Sequence, residues 1–301
     1  MRSSSRLPVT RSPTSCRSRP ISRRSSSSCT ERTTTAAELL RRGVRDHRRA
    51  LVGWCAGVAA YVALVAAIFP SIESSPDFNK LVESYPDVLK SLFGIAEGGD
   101  ITSGAGYLDV ELWSFMLPLL VLVLAIGSGA RTLAGEEDAG RLELVLSYPL
   151  RRRDAVLAKG AAVAGEIVVV CVAAGITILV FDPLVGLDLS FPRLASALMS
   201  LAALGLLFGW LALAVGAAVP SRTLAIGIPA GAAAAAYLVS GLHELAGWLD
   251  PFRVLSPFWL VGSSPLQKGA DGWGVLAVVV AALVVLLAGS RLVERRDLEA
   301  P

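Results

Sequence analysis

The chain has 301 residues, 53% of them hydrophobic and only 18% charged, with a formal net charge of +3. Soluble proteins carry about 25% charged residues, and the shortfall here falls in long apolar stretches, which marks an integral membrane protein and not a soluble one with a larger core. The small positive charge is no nucleic-acid signature, because most Arg residues lie in the N-terminal tail and at the ends of apolar runs. Cys16, Cys29, Cys55 and Cys171 have no framework spacing, which argues against a disulfide scaffold or a zinc site. His47 and His243 are the only histidines, too few for a His-rich metal cluster.

Residues 1–34 are rich in Arg, Ser, Thr and Pro and poor in acids and apolar residues. Such a segment cannot bury enough surface to fold and is expected to be a disordered tail. Transit peptides share this bias, but the prolines break any amphipathic helix, so a start codon placed too far upstream is the other reading. Thr35-Ala-Ala-Glu38 then forms a capping box. Leu39, Leu40, Gly43, Val44 and His47 follow at helical spacing, with Arg41, Arg42, Arg45, Arg48 and Arg49 on the remaining surface. A basic amphipathic helix beside a span lies along the inner membrane surface.

Six apolar stretches come next: Ala50–Phe69, Leu112–Ala130, Ala161–Phe181, Leu194–Val219, Thr223–Leu242 and Trp273–Ser290. Each approaches or exceeds the ~20 residues that cross a bilayer. Lipid offers the backbone no hydrogen bonds, so each is expected to be helical. The connection Pro70–Glu111 carries Glu73, Asp77, Glu83, Asp87, Glu97, Asp100, Asp109 and Glu111 against Lys80 and Lys90. The connection Arg131–Gly160 carries Arg131, Arg141, Arg151, Arg152, Arg153 and Lys159, and Arg291, Arg295 and Arg296 follow the last stretch. By the positive-inside rule the first connection is outside, the second inside, and both termini are cytoplasmic. The outer connection has room for a short apolar helix over Pro76–Gly94. Leu245–Leu266 is unusually apolar for a loop, yet Pro251, Pro257 and Pro265 break it. It reads as an interfacial or re-entrant helix in the outer leaflet, or as an aromatic belt that only anchors.

The inner connection is not a random loop. Glu136, Glu137 and Asp138 come first, then Leu142, Val145 and Leu146 at helical spacing, then Tyr148 and Pro149. Acids at a helix start and bases beyond its end both suit the helix dipole. Pro149 stops the helix. The product is a short amphipathic helix whose apolar stripe needs a partner, and no other part of the chain forms a soluble domain to receive it.

No Gly-x-x-x-x-Gly-Lys-Ser/Thr occurs anywhere, so the chain is not expected to hydrolyse ATP or hold a cofactor of its own. Ser128 and His243 are the only tempting nucleophile and base, but they sit near opposite ends of their spans, on the order of 30 Å apart. Ser128 therefore reads as a small packing residue. Glu166 is the one acid clearly inside an apolar stretch. It either faces a translocation path or subunit interface, or pairs with Lys159 or a neighbouring Arg near the inner boundary. Gly53/Gly57, Gly205/Gly209 and Gly227/Gly231 have small-x-x-x-small spacing, which allows close helix packing within the chain and, less directly, between copies.

Ala-Gly-Glu-Glu-x-x-Gly-x-Leu-Glu-x-x-Leu-x-x-Pro, from Ala134 to Pro149, resembles the permeases of type-2 ATP-binding-cassette (ABC) exporters. Ser256-Pro257-Phe258-Trp259 before the last span and Glu294-Arg295-Arg296-Asp297-Leu298 after it extend the likeness over residues 37–298. The resemblance implies an all-α transmembrane domain over residues 35–298, with an N-terminal interfacial helix, six spans, a cytoplasmic coupling helix between spans two and three, and outer helices before span six. It implies a separate ABC ATPase, which holds ATP and Mg and docks on Glu136, Glu137, Arg141, Leu142, Glu143, Val145, Leu146 and Tyr148. Relatives often carry Thr at the position of Arg141. It further implies a second permease copy, a homodimer in the simplest case, with lipid as the surrounding partner.

Abundant Arg, Ala, Gly and Val beside few Lys suggest a GC-rich bacterial genome and hence the plasma membrane. A greasy path with few charges suits amphipathic drugs, antibiotics or lipids. A secondary transporter would need midplane ion-coupling residues or paired broken helices, and neither is evident. A non-transporting scaffold or sensor is the remaining alternative.

Overall fold

The computed structural model describes residues 27–73, 86, 103–132, 152–219, 221–243, 247–262 and 264–295. Among these residues every regular element is helical. The chain divides into two units, Met1–Arg49 and Ala50–Pro301. In the first, the helix Ser27–Glu73 starts ahead of Thr35, where the capping pattern places a helix start. No Gly or Pro lies between residues 27 and 35, so nothing local stops the helix from extending backwards. The remainder of the expected tail, residues 1–26, lies outside the described residues.

Six helices are long and apolar enough to cross a membrane: Arg48–Ile72, Gly104–Thr132, Arg153–Val185, Phe191–Ala218, Arg222–Leu242 and Gly272–Val293, here spans one to six. Leu64, Val123, Val172, Ile176, Leu184 and Val284 are exposed large apolar side chains on them. A soluble protein rarely shows so much apolar surface, whereas lipid makes it the expected outside of the molecule.

Two boundaries differ from the hydropathy reading. Span two begins at Gly104 and not near Leu112, so Asp109 and Glu111 belong to a helix and not to the outer loop. The helix containing span three runs Arg152–Val185, longer at both ends than its apolar centre. Charge ends an apolar run in sequence, but it does not end a helix, and Asp109, Lys159 and Asp182 find hydrogen-bond partners in these extensions.

Span two has an internal change of pitch. Gly104–Leu108 is α-helical, Asp109–Met116 is a π-helix, and Leu117–Thr132 is α-helical again. Pro118 has no N–H and its ring crowds the carbonyl of the residue four before it, Ser114. A wider turn just ahead of the proline relieves that conflict. The Ser114 hydroxyl donates back five residues to the Asp109 carbonyl at 3.1 Å, which suits the wider turn.

Span four is the centre of the second unit. In its apolar window 61% of residues are buried, against 22% for span one and 17% for span five. It packs against spans two, three, five and six. Close approach depends on its glycines: a Cβ on Gly129 of span two would stand 2.2 Å from the Gly209 carbonyl oxygen. Trp210 Nε1 donates to the Gly160 carbonyl of span three at 2.9 Å. Trp113 Nε1 of span two donates to the Ala197 carbonyl at 3.2 Å. Of the three glycine pairs, only Gly205/Gly209 packs inside the chain. Gly53, Gly57, Gly227 and Gly231 have nothing within 4 Å of an added Cβ, because they lie on the two least enclosed spans.

The segment before span six forms a 3-10 helix, Gly247–Leu255, and a short α-helix, Pro257–Val261. Neither is long enough to cross a bilayer. The expected helix over Pro76–Gly94 lies outside the described residues except for Pro86.

Candidate functional site

A groove of about 470 Å³ opens between spans two and five. One wall carries Phe115, Leu119, Leu122 and Ile126, and the other carries Ile226, Ala230, Ala233 and Tyr237. Both sets step by four, three and four residues, so each is a single helical stripe. The hollow exists because long side chains on span two face alanines on span five. Phe258, from the short helix Pro257–Val261, also lines it.

The aromatic residues of the groove are organised. Phe115 and Tyr237 have ring centroids 5.7 Å apart. Tyr237 and Phe258 meet edge-on at 5.6 Å, and Phe258 continues to Phe208 at 6.2 Å. Such offset and edge contacts are the favoured geometry of aromatic pairs. Among the lining residues only Tyr237 carries a polar side-chain atom, and none is charged. The volume falls in the ~300–1,000 Å³ range of small-molecule sites, and the lining matches their mostly apolar character. Phe115, Leu119, Val123 and Leu238 are exposed at its edge, so it opens sideways to the surroundings of the helices.

A second, polar site lies where spans two and three meet. Glu166 is buried, and its Oε2 accepts a hydrogen bond from the Ser128 hydroxyl at 2.5 Å. Arg131 Nη2 donates to Ser128 Oγ at 3.2 Å, and Arg131 Nε donates to the Gly127 carbonyl at 3.0 Å. Lys159 Nζ donates to the Thr132 carbonyl at 2.5 Å. Cations are favourable at a helix C-terminus because they satisfy its last carbonyls and its dipole. Ser128 is thus more than a space-filler. It does not partner His243, whose Nδ1 lies 2.8 Å from the Ser240 carbonyl oxygen.

A third site was not anticipated. Asp109, an outer-loop acid by sequence, is buried at the start of span two. Its Oδ1 accepts from the Leu266 N–H and its Oδ2 from the Gln267 N–H, both at 3.0 Å. No local pattern marks a partner so far along the chain. Glu136, Glu137, Arg141, Leu142, Glu143, Val145, Leu146 and Tyr148 lie outside the described residues. Thr132 and Arg152 mark the helix ends on either side of them.

Six apolar helices, one of them central, with an uncharged groove between two others, define a multi-pass membrane protein. The chain belongs to the family described as multidrug efflux system permease Rv1217c, C-terminal domain, which matches residues 43–291. That match reaches from ahead of the first span into the last, and it bears out the resemblance to permease subunits of ABC-type exporters. No curated protein matches the chain.

Proposed function

We propose that this permease is the membrane-spanning part of an ATP-driven exporter and that it hydrolyses no ATP itself. The observation that carries the reading is the efflux-permease family match over the six-span body. The amphipathic stretch Glu136–Tyr148 and the lack of a P-loop supply the rest. A separate ATPase, holding ATP and Mg, docks on that stretch from the cytoplasm. Leu142, Val145, Leu146 and Tyr148 form the apolar contact, and Glu136, Glu137, Arg141 and Glu143 the polar one. Both termini are cytoplasmic and the membrane is the bacterial plasma membrane. A second copy completes the path, seated against spans one and five, where Gly53, Gly57, Gly227 and Gly231 leave open space.

The substrate is amphipathic and carries no anionic group into the groove. No cation lines the groove to receive one, while the aromatic faces of Phe115, Tyr237 and Phe258 suit planar or weakly cationic molecules.

Leu146→Asp places a charge in the middle of the docking stripe. The variant is expected to insert normally and to lose the co-purifying ATPase. Recovery of that ATPase at the wild-type ratio would refute docking at this stretch. Ala230→Trp fills the groove from an exposed position on span five. It is expected to abolish transport in vesicles while leaving ATPase assembly intact. Unchanged transport would remove the groove from the path.

A further inference from the structure

We infer that Glu166 is a positioning residue. With Ser128, Lys159 and Thr132 it forms a two-rung latch that fuses the inner ends of spans two and three into one lever. The inference rests on the ATPase-coupled reading, because the lever carries what the 133–151 connection receives.

The two rungs are Ser128 Oγ to Glu166 Oε2 and Lys159 Nζ to the Thr132 carbonyl, each 2.5 Å. On span two, Ser128 and Thr132 are four residues apart, and on span three, Lys159 and Glu166 are seven apart. Both spacings return to the same helix face. The attachments are therefore separated along the axes by about 6 Å on one helix and about 10 Å on the other. One attachment leaves two helices free to splay and rotate about it. Two, at different heights, fix their separation and their angle together.

The neighbourhood stiffens this geometry. Gly129, beside Ser128, approaches the backbone of Gly209 on span four too closely for any side chain. Gly160, beside Lys159, lies under Leu286 of span six, and its carbonyl is held by Trp210. The latch thus sits inside a block made from spans two, three, four and six. Span five, the least enclosed, packs on spans two and four and forms the far wall of the groove.

A push on the connection between Thr132 and Arg152 reaches both helix ends at once. With the latch intact, spans two and three move together with the block and change the groove against span five. With a rung missing, the same push spreads the two helix ends and is spent there. The acid is retained inside the apolar span for this restraint, which an apolar contact of equal size would not give.

The test compares wild-type permease with its Glu166→Ala, Glu166→Gln and Ser128→Ala variants, each reconstituted with the partner ATPase in lipid vesicles. ATPase co-purification, ATP hydrolysis and export of an aromatic dye are measured per folded permease. Glu166→Ala is expected to assemble and hydrolyse ATP, with dye exported per ATP falling about tenfold, the size expected for losing one charge-assisted bond from the coupled state. Glu166→Gln keeps an oxygen for the Ser128 hydroxyl and is expected to restore coupling. Ser128→Ala removes only a small buried hydroxyl and is expected to uncouple in the same direction. The latch is overturned if the Ala variants show reduced folded yield but wild-type dye export per ATP, or if Glu166→Gln is as uncoupled as Glu166→Ala. A wild-type protein that exports dye without ATP sinks the ATPase reading instead, and that result is visible before any variant is made.

Discussion

Gly129→Ala is expected to lower the melting temperature of the purified permease, whereas Gly127→Ala, two residues away on the same helix, leaves it unchanged or raises it. The added methyl is the same in both. At Gly129 it would stand 2.2 Å from the Gly209 carbonyl oxygen and 3.1 Å from both Ala212 Cβ and the Leu213 nitrogen. Two of those three atoms are backbone, so no rotamer change makes room and span two must move off span four. Overpacking of this kind costs about 1–3 kcal/mol. Alanine is the better helix former by about 1 kcal/mol, and that gain does not offset a displaced helix. At Gly127 nothing lies within 4 Å, so only the gain remains. Gly209→Ala meets Ala125 Cβ and Val163 Cγ1 at 3.2 Å and the Ala125 carbonyl oxygen at 3.3 Å, tight contacts but none as short as that at Gly129, and should fall between the two. Thermal unfolding in detergent, followed by exposure of Cys171 to a thiol reagent, reads all three. Equal melting temperatures for Gly127→Ala and Gly129→Ala would mean that spans two and four do not touch here.

The contrast between these glycines shows what the sequence carries and what it does not. Apolar run length located all six spans, because lipid leaves the backbone no alternative to the helix. The same signal misplaced the start of span two. It ended the run at Asp109 and Glu111, as the rule for isolated charges requires, and could not see that the Leu266 and Gln267 amides satisfy Asp109. Likewise, small size in an apolar run marked Ser128 as packing, and its bond to Glu166 depends on which spans are neighbours. Helix adjacency is also what makes the groove. Phe115, Leu119, Leu122 and Ile126 lie on one stripe, but every face of a span is apolar, so periodicity singles out none of them. Family-like motifs compensate for this in part. They gave the class of protein from the stretch Ala134–Pro149, which no packing argument could have reached.

Asp109→Ala is expected to release the segment before span six and to cost more than any other single truncation at that end of the molecule. The carboxylate accepts two backbone N–H groups, one on each oxygen, at a buried position. Without it both amides lose their partner. A buried donor left unsatisfied costs about 1–3 kcal/mol, so the pair amounts to about 2–6 kcal/mol if no water enters. Asp109→Asn separates charge from shape. Its one oxygen can serve one amide, but its NH₂ then faces the other, donor against donor, so asparagine should recover less than half of the loss. The remaining restraints on the segment decide how far it moves. Ser256 Oγ donates to the Ala236 carbonyl at 2.8 Å, and Gly274 of span six lies so close under the Leu260 carbonyl that a Cβ would overlap it. These hold the short helix Pro257–Val261, while the turn at Leu266 and Gln267 hangs on Asp109. The variant should therefore loosen residues 264–268 first and shift Phe258, at the groove, second. Thiol labelling of Gln267→Cys reads the first change and is expected to quicken in the Asp109→Ala background. On the proposed path through the groove, dye export reads the second and is expected to fall less steeply. Unaltered labelling would show that the turn is held without the carboxylate. A fall in export with unaltered labelling would move the role of Asp109 from holding the turn to the path itself.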